Sequence, residues 1–208
     1  MDARATTDTV DRELRRRQLA QRLVVHHART QTIFRLTGLS RHQLATMRQR
    51  WGINNEIRRR GPAPTSFAVF RSTSRVREEA AALAVHWVVL ASVGALSDRN
   101  FKSTAIEFGE KLCEVFEAYL AYFPDTELQF EHLVLLVRGL EEAEAVALSS
   151  CSNCDAVILA DLLGKRRRLC SHCQHAPHIV SATGHASETG TEPNDPAEKG
   201  GAVQQELF

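Results

Sequence analysis

The chain is 208 residues long, 43% hydrophobic and 25% charged, with a formal net charge of +1. That is enough for one domain with a well-filled core, or one domain plus a small appendage. No apolar run reaches the roughly 18 residues of a membrane span, and residues 1–10 lack the apolar stretch of an export signal. The expectation is therefore a cytoplasmic chain with reduced thiols and no membrane contact.

The small net charge hides an asymmetry. Residues 1–77 carry 17 Lys and Arg against 5 Asp and Glu, residues 78–150 carry 4 against 13, and residues 151–208 carry 5 against 7. A basic third joined to an acidic middle suggests a nucleic-acid face attached to a separate body. Nearly all the basic residues are Arg, suited to bidentate contact with phosphate and guanine. A solvated helix surface is the plainer reading.

In chain order, residues 8–29 read as a helix, with Val10, Leu14, Leu19, Leu23, Val24 and Ala28 apolar and arginines between them. A short helix over 30–36 leads into Thr37-Gly38-Leu39. Ser40 and Gln43 then form a capping box for a third helix that runs to about Trp51, with Gly52 as its stop. Helix, glycine turn, capped helix is a helix-turn-helix-like pattern, in which Ile33, Phe34 and Leu36 can pack on Leu39, Leu44 and Met47. At about 100° per residue, Leu44, Met47 and Trp51 share the face to be buried. His42, Ala45, Thr46 and Gln49 lie opposite, with Arg41 and Arg48 on one flank and Arg50 on the other. Polar groups between arginines suit a helix in a major groove between two phosphate backbones; an ordinary helical hairpin with a wet outer face is the alternative.

Residues 53–73 break the pattern with a loop, Pro- and Arg-rich, in which Arg58, Arg59 and Arg60 can hold phosphate or keep a linker soluble. Periodicity returns over 74–148 in three helices. The first, 76–95, turns Val76, Ala80, Leu83, Ala84, Trp87, Val88 and Ala91 inward. The second, 98–122, does so with Phe101, Ala105, Phe108, Leu112, Val115, Tyr119 and Tyr122. The third, capped by Asp125 or Thr126, runs over 127–147 and straight into the cysteines. The acidic outer residues argue against DNA contact by this body. Cys113 falls among its apolar positions and reads as a small buried side chain.

Cys151, Cys154, Cys170 and Cys173 stand as C-x₂-C-x₁₅-C-x₂-C, the spacing of a four-thiolate zinc site. With no further strong ligand at hand, such a site is closed to water and structural, holding one Zn²⁺ per chain. Disulfides or a redox dithiol are the alternatives, and His172, His175 or His178 could replace one thiolate. Residues 156–160 read as a strand. Lys165, Arg166, Arg167 and Arg168 then form a basic return strand, completing a zinc ribbon over 149–178 and facing phosphate or offsetting the thiolate charge. Residues 179–208 are too polar for a core and read as a disordered tail. The fold class expected is mainly α: basic N-terminal helices over 1–52, the loop, an acidic helical body, and a C-terminal Cys₄ ribbon.

Leu148-Ser149-Ser150-Cys151-Ser152-Asn153-Cys154, closed by Cys170-Ser171-His172-Cys173, resembles the zinc signature of the flagellar transcriptional regulator family FlhC. The order of the remaining features agrees over about residues 14–178: an arginine-rich helix, Gly38-Leu39-Ser40-Arg41, a Pro-rich basic loop, three helices, then the cysteines. The aromatic-rich stretch of that family has only Phe67 and Phe70 here, a departure that suits a divergent paralogue regulating non-flagellar genes. The resemblance implies a cytoplasmic activator that binds the promoter double-stranded DNA of flagellar operons and switches them on, with RNA polymerase as a further partner. It would act in an assembly of two FlhC and four FlhD, with the four cysteines as zinc ligands. A structural or adaptor protein that uses its zinc ribbon only to hold partners is the competing reading. No nucleophile–base pair, phosphate-binding glycine loop or open metal site is evident. His26, His27, His86 and His132 stand without acidic or Ser/Cys partners in the sequence, so an enzyme is not expected.

Overall fold

The computed structural model describes residues 3–53, 61–95, 104–143, 145–162 and 169–175. Among these, seven α-helices and one two-stranded sheet occur, and the chain is mainly helical. Helix α1 spans Ala3–Val25, α2 Thr30–Thr37, α3 Arg41–Arg50, α4 Ser74–Ala95, α5 Ala105–Tyr122 and α6 Phe130–Glu142. Strands β1 (Val146–Ser150) and β2 (Val157–Asp161) follow, then a short α7, Ser171–His175. A 3₁₀ turn at Phe67–Arg71 precedes α4.

Helix α1 ends four residues earlier than its apolar pattern suggests, where His27 takes a left-handed φ of 56°. Leu19, Leu23, Val24 and Ala28 are buried, but Val10 and Leu14 are exposed. At about 100° per residue those two lie on the side of the helix opposite Leu19 and Leu23, so periodicity itself puts them outside. Val88 of α4, Phe34 and Tyr122 are also exposed, against their expected place in or on the core.

Helices α1 and α5 run in the same direction. Arg15 donates to Glu110 (Nε to Oε1, 3.1 Å), and one heptad later Arg22 donates to Glu117 (3.0 and 2.7 Å). Next to the first rung on α5 lies Gly109, where an added Cβ would come within 2.7 Å of Leu19 and 3.3 Å of Leu36. Glycine there lets α5 lie close against both α1 and α2. His26 adds to the second rung, with Nε2 2.9 Å from Glu117, and its ring stacks on Phe130. It therefore has an acidic partner that the sequence did not indicate.

The basic first third and the acidic middle are thus not separate bodies. They share one core that runs from Leu19 through Leu44, Leu83, Leu112 and Leu136 to Val146. Part of the arginine excess is neutralised by the carboxylates it faces within the chain.

Two buried carboxylates fix the remaining joints. Glu131 of α6 accepts from the Arg29 N–H (2.7 Å) and the Thr32 hydroxyl (2.8 Å), and so caps the start of α2. Glu79 of α4 accepts from Arg75 Nε (2.7 Å), the Thr126 hydroxyl (2.8 Å) and the Glu127 N–H (3.2 Å). Burial pushes the Glu79 carboxyl up, but these donors outweigh it and hold it below the usual range. Because Thr126 serves this network, it does not cap α6. The helix begins later, at Phe130, with His132 Nδ1 accepting the Gln129 N–H (2.9 Å).

Helix α6 also stops before the cysteines. Ala143 takes a left-handed φ of 50°, and Val146–Ser150 leaves as a strand rather than a last helical turn. It pairs antiparallel with β2, Val146 opposite Asp161 and Ser150 opposite Val157. The ladder accounts for this, since it satisfies the backbone of a segment in which Ala147 and Leu148 suit a helix as well and of which Val146 alone favours extension. Arg71, in the 3₁₀ turn, pairs with Asp161 and fastens the far end of the hairpin.

Candidate functional site

Strands β1 and β2 meet in a short loop, and the first cysteine pair occupies it. The Cys151 N–H donates to Ala156 O (2.8 Å) and the Asp155 N–H to Cys151 O (3.0 Å). Asp155 sits at a left-handed φ of 58°. This closes a knuckle that turns Cys151 and Cys154 the same way. The second pair stands at the start of a helix: Cys170 immediately precedes α7 and Cys173 is inside it. The four sulfurs all lie within 4.8 Å of one another, close enough to bind one metal ion. Cys151 is fully buried and Cys173 nearly so, Cys170 is half-buried, and Cys154 is exposed.

Amide groups are aimed at the sulfurs. The Cys170 N–H donates to Cys151 Sγ (3.3 Å), the Cys173 N–H to Cys170 Sγ (3.3 Å), and Asn153 Nδ2 to Cys173 Sγ (3.2 Å). The Cys170 and Asn153 N–H groups lower the Cys151 thiol to about 6. Cys154 is pushed up to about 12, because the surrounding thiols of Cys173, Cys151 and Cys170 outweigh the Ala156 N–H that lowers it. The opposite shifts of Cys151 and Cys154 set two neighbouring sulfurs in competition for negative charge, a conflict that a divalent cation would relieve. All four cysteines are free thiols, and Cys154 and Cys170 are 3.7 Å apart at sulfur, well beyond a disulfide of about 2.0 Å. Cys113 stands apart: it is buried, and burial pushes its thiol up to about 12.

Four protein sulfurs would leave a tetrahedral ion held there no open position. The donors to sulfur were only partly legible: the Cys173 N–H bond to Cys170 follows from C-x-x-C geometry, whereas nothing in the sequence marks the Asn153 amide or the Cys170 N–H that reaches across to Cys151. His172 is exposed, and the group of possible ligands among the described residues contains cysteines alone.

On α3, Ser40 Oγ accepts the Gln43 N–H (3.2 Å) and Gln43 Oε1 accepts the Ser40 N–H (2.8 Å), forming the expected capping box. Gly38, at φ 69°, ends α2 and makes the turn. Leu44 is buried, with Met47 and Trp51 packed against the core. Arg41, His42 and Gln49 are exposed on the outer side, as the periodicity predicts, and Thr46 is half-buried with its hydroxyl donating to His42 O (3.1 Å). Arg48 departs from the expectation. It is only 7% exposed, because it stands one turn beyond Leu44 on the inward side. Arg58, Arg59, Arg60 and Lys165, Arg166, Arg167, Arg168 lie outside the described residues, as does the tail.

No helix among the described residues is long and apolar enough to cross a membrane. In comparisons with known proteins, no family model and no curated protein matches the chain.

Proposed function

We propose that the chain is a zinc-containing, DNA-binding transcription activator subunit of the kind its cysteine signature resembles, acting with FlhD on promoter DNA. The observation that carries this reading is the α2–Gly38–α3 unit. Its second helix is capped, buried along one side at Leu44, and presents Arg41, His42 and Gln49 to solvent. On this reading the unit is a helix-turn-helix, with α3 lying in the major groove. The exposed amide and imidazole reach base edges, and the arginine at the start of the helix reaches phosphate.

The four-cysteine cluster supports zinc on chemical grounds. A tetrahedral S₄ set at Zn–S distances of about 2.3 Å has sulfur–sulfur edges near 3.8 Å, close to the 3.7 Å between Cys154 and Cys170. Bound there, zinc would tie the β1–β2 knuckle to α7. Cytoplasmic placement and an RNA polymerase contact belong to the same proposal.

The test is binding of the full chain with FlhD to promoter duplex at several salt concentrations. The reading expects affinity to fall steeply as salt rises, through release of condensed counterions. An adaptor that only holds proteins together would show no DNA affinity at any salt, and that result would replace this reading with the adaptor.

A further inference from the structure

Arg41 does not stand alone at the start of α3. It lines a cleft of about 900 Å³ whose other guanidinium groups come from Arg29, Arg35 and Arg138, with Glu131 and Glu141 as its carboxylates. Glu131 is committed to the cap of α2, and Arg29 reaches the carbonyl of Gly61 on the facing wall. Arg35, Arg41 and Arg138 are exposed. The only ion pair among the described residues for these three is a loose one, Arg138 to Glu142 at 3.9 Å. Three cationic side chains from α2, α3 and α6 therefore converge on one opening, with Glu141 the remaining negative group.

We infer that this cleft seats the phosphodiester backbone of duplex DNA beside α3, with Arg35 and Arg138 as phosphate-contacting residues. The inference rests on the functional reading above and extends it to residues outside α3. In a helix-turn-helix the first helix crosses the backbone while the second enters the groove, which is where Arg35 stands relative to Arg41. Arg138 brings in α6, part of the acidic body that the charge distribution set apart from DNA. The planar guanidinium suits phosphate oxygens, and converging arginines fix where the backbone runs without reading sequence. Glu141 opposes the bound anion, so its charge weakens the seat.

The experiment titrates a fluorescent duplex of mixed sequence, about 20 base pairs long, with the full chain in its FlhD complex over a series of salt concentrations. Wild type is compared with Arg35→Ala/Arg138→Ala, with the Arg35→Lys/Arg138→Lys pair and with Glu141→Gln. The double alanine variant should lower the salt slope by about 2, roughly 0.9 for each phosphate no longer neutralised, and weaken binding at low salt at least tenfold. The lysine pair should recover most of the slope, showing that charge and not folding was removed, and Glu141→Gln should bind more tightly than wild type. If wild type binds the duplex and the double alanine variant matches it in slope and affinity, the cleft is not the seat, although the functional reading stands. If wild type binds no duplex, that reading fails and takes this inference with it. Inorganic pyrophosphate at constant ionic strength should leave the duplex bound; displacement would overturn the inference in favour of a free polyphosphate ligand.

Discussion

At the scale of single residues, the cysteine cluster is where chemistry and structure coincide most closely. Cys151 is buried, and its sulfur accepts the Cys170 N–H, so changing it removes a ligand and loosens the approach of α7. Cys151→Ser or Cys173→Ser should lower metal content from about one ion per chain to near zero and destabilise the β1–β2–α7 segment, since metal binding in small sites is folding free energy. Elemental analysis of purified protein decides it: full metal in either variant would rule out the four-sulfur site. The cluster was legible in the sequence because its information is local, two C-x-x-C turns that each fix two ligands. Arg48 was less legible. Its outward placement was argued from the flank of a helical wheel, but it stands one turn beyond Leu44 and is buried with it, head included.

At the scale of elements, the helices were readable and their ends less so. Capping residues that bond within their own turn, such as Ser40 with Gln43, announce themselves. Thr126 looks like another but is drawn into the Glu79 network, a partner far away in sequence. The passage from α6 to β1 was hidden for a similar reason, because Val146-Ala147-Leu148 continues an apolar pattern and only pairing with β2 makes it a strand. Two substitutions probe this level. Ser40→Ala removes the acceptor for the Gln43 N–H and should cost about 1 kcal/mol, measured by denaturant unfolding. Gly109→Leu drives a side chain into Leu19 and Leu36 at the α1–α2–α5 junction and should cost about 1–3 kcal/mol by overpacking. Unchanged stability in Gly109→Leu would mean that α5 does not lie this close to its neighbours.

At the scale of the whole molecule, the charge asymmetry has two causes. Some of the N-terminal arginines face carboxylates of α5, as in Arg15–Glu110 and Arg22–Glu117, and these pairs bridge two parallel helices at the surface. Others, Arg35 and Arg41 among them, face solvent. The first group predicts acid sensitivity. The Arg22 guanidinium beside Glu117 holds its carboxyl below the usual range, with His26 adding to the effect against burial, and Glu79 is lowered as well. A carboxyl whose folded-state pKa is depressed stabilises the fold above its unfolded value of about 4.5, and that contribution is lost as pH falls through the folded value. Thermal melting should therefore decline below about pH 4.5, and less steeply in Glu117→Gln, in which the pair is already absent. Identical pH profiles for the two proteins would contradict the α1–α5 pairing.

The second group of charges leads to the central claim, that α3 reads DNA. The most direct measurement compares promoter with random duplex for the FlhD-bound chain, in wild type and in His42→Ala and Gln49→Ala. Both side chains are exposed on the outer side of α3, so their removal leaves the core untouched. Each variant should lose on the order of 1–3 kcal/mol on the promoter and little on random DNA, because a base-edge contact carries sequence preference and a phosphate contact does not. Variants that both bind promoter and random duplex as wild type does would show that α3 does not enter the groove.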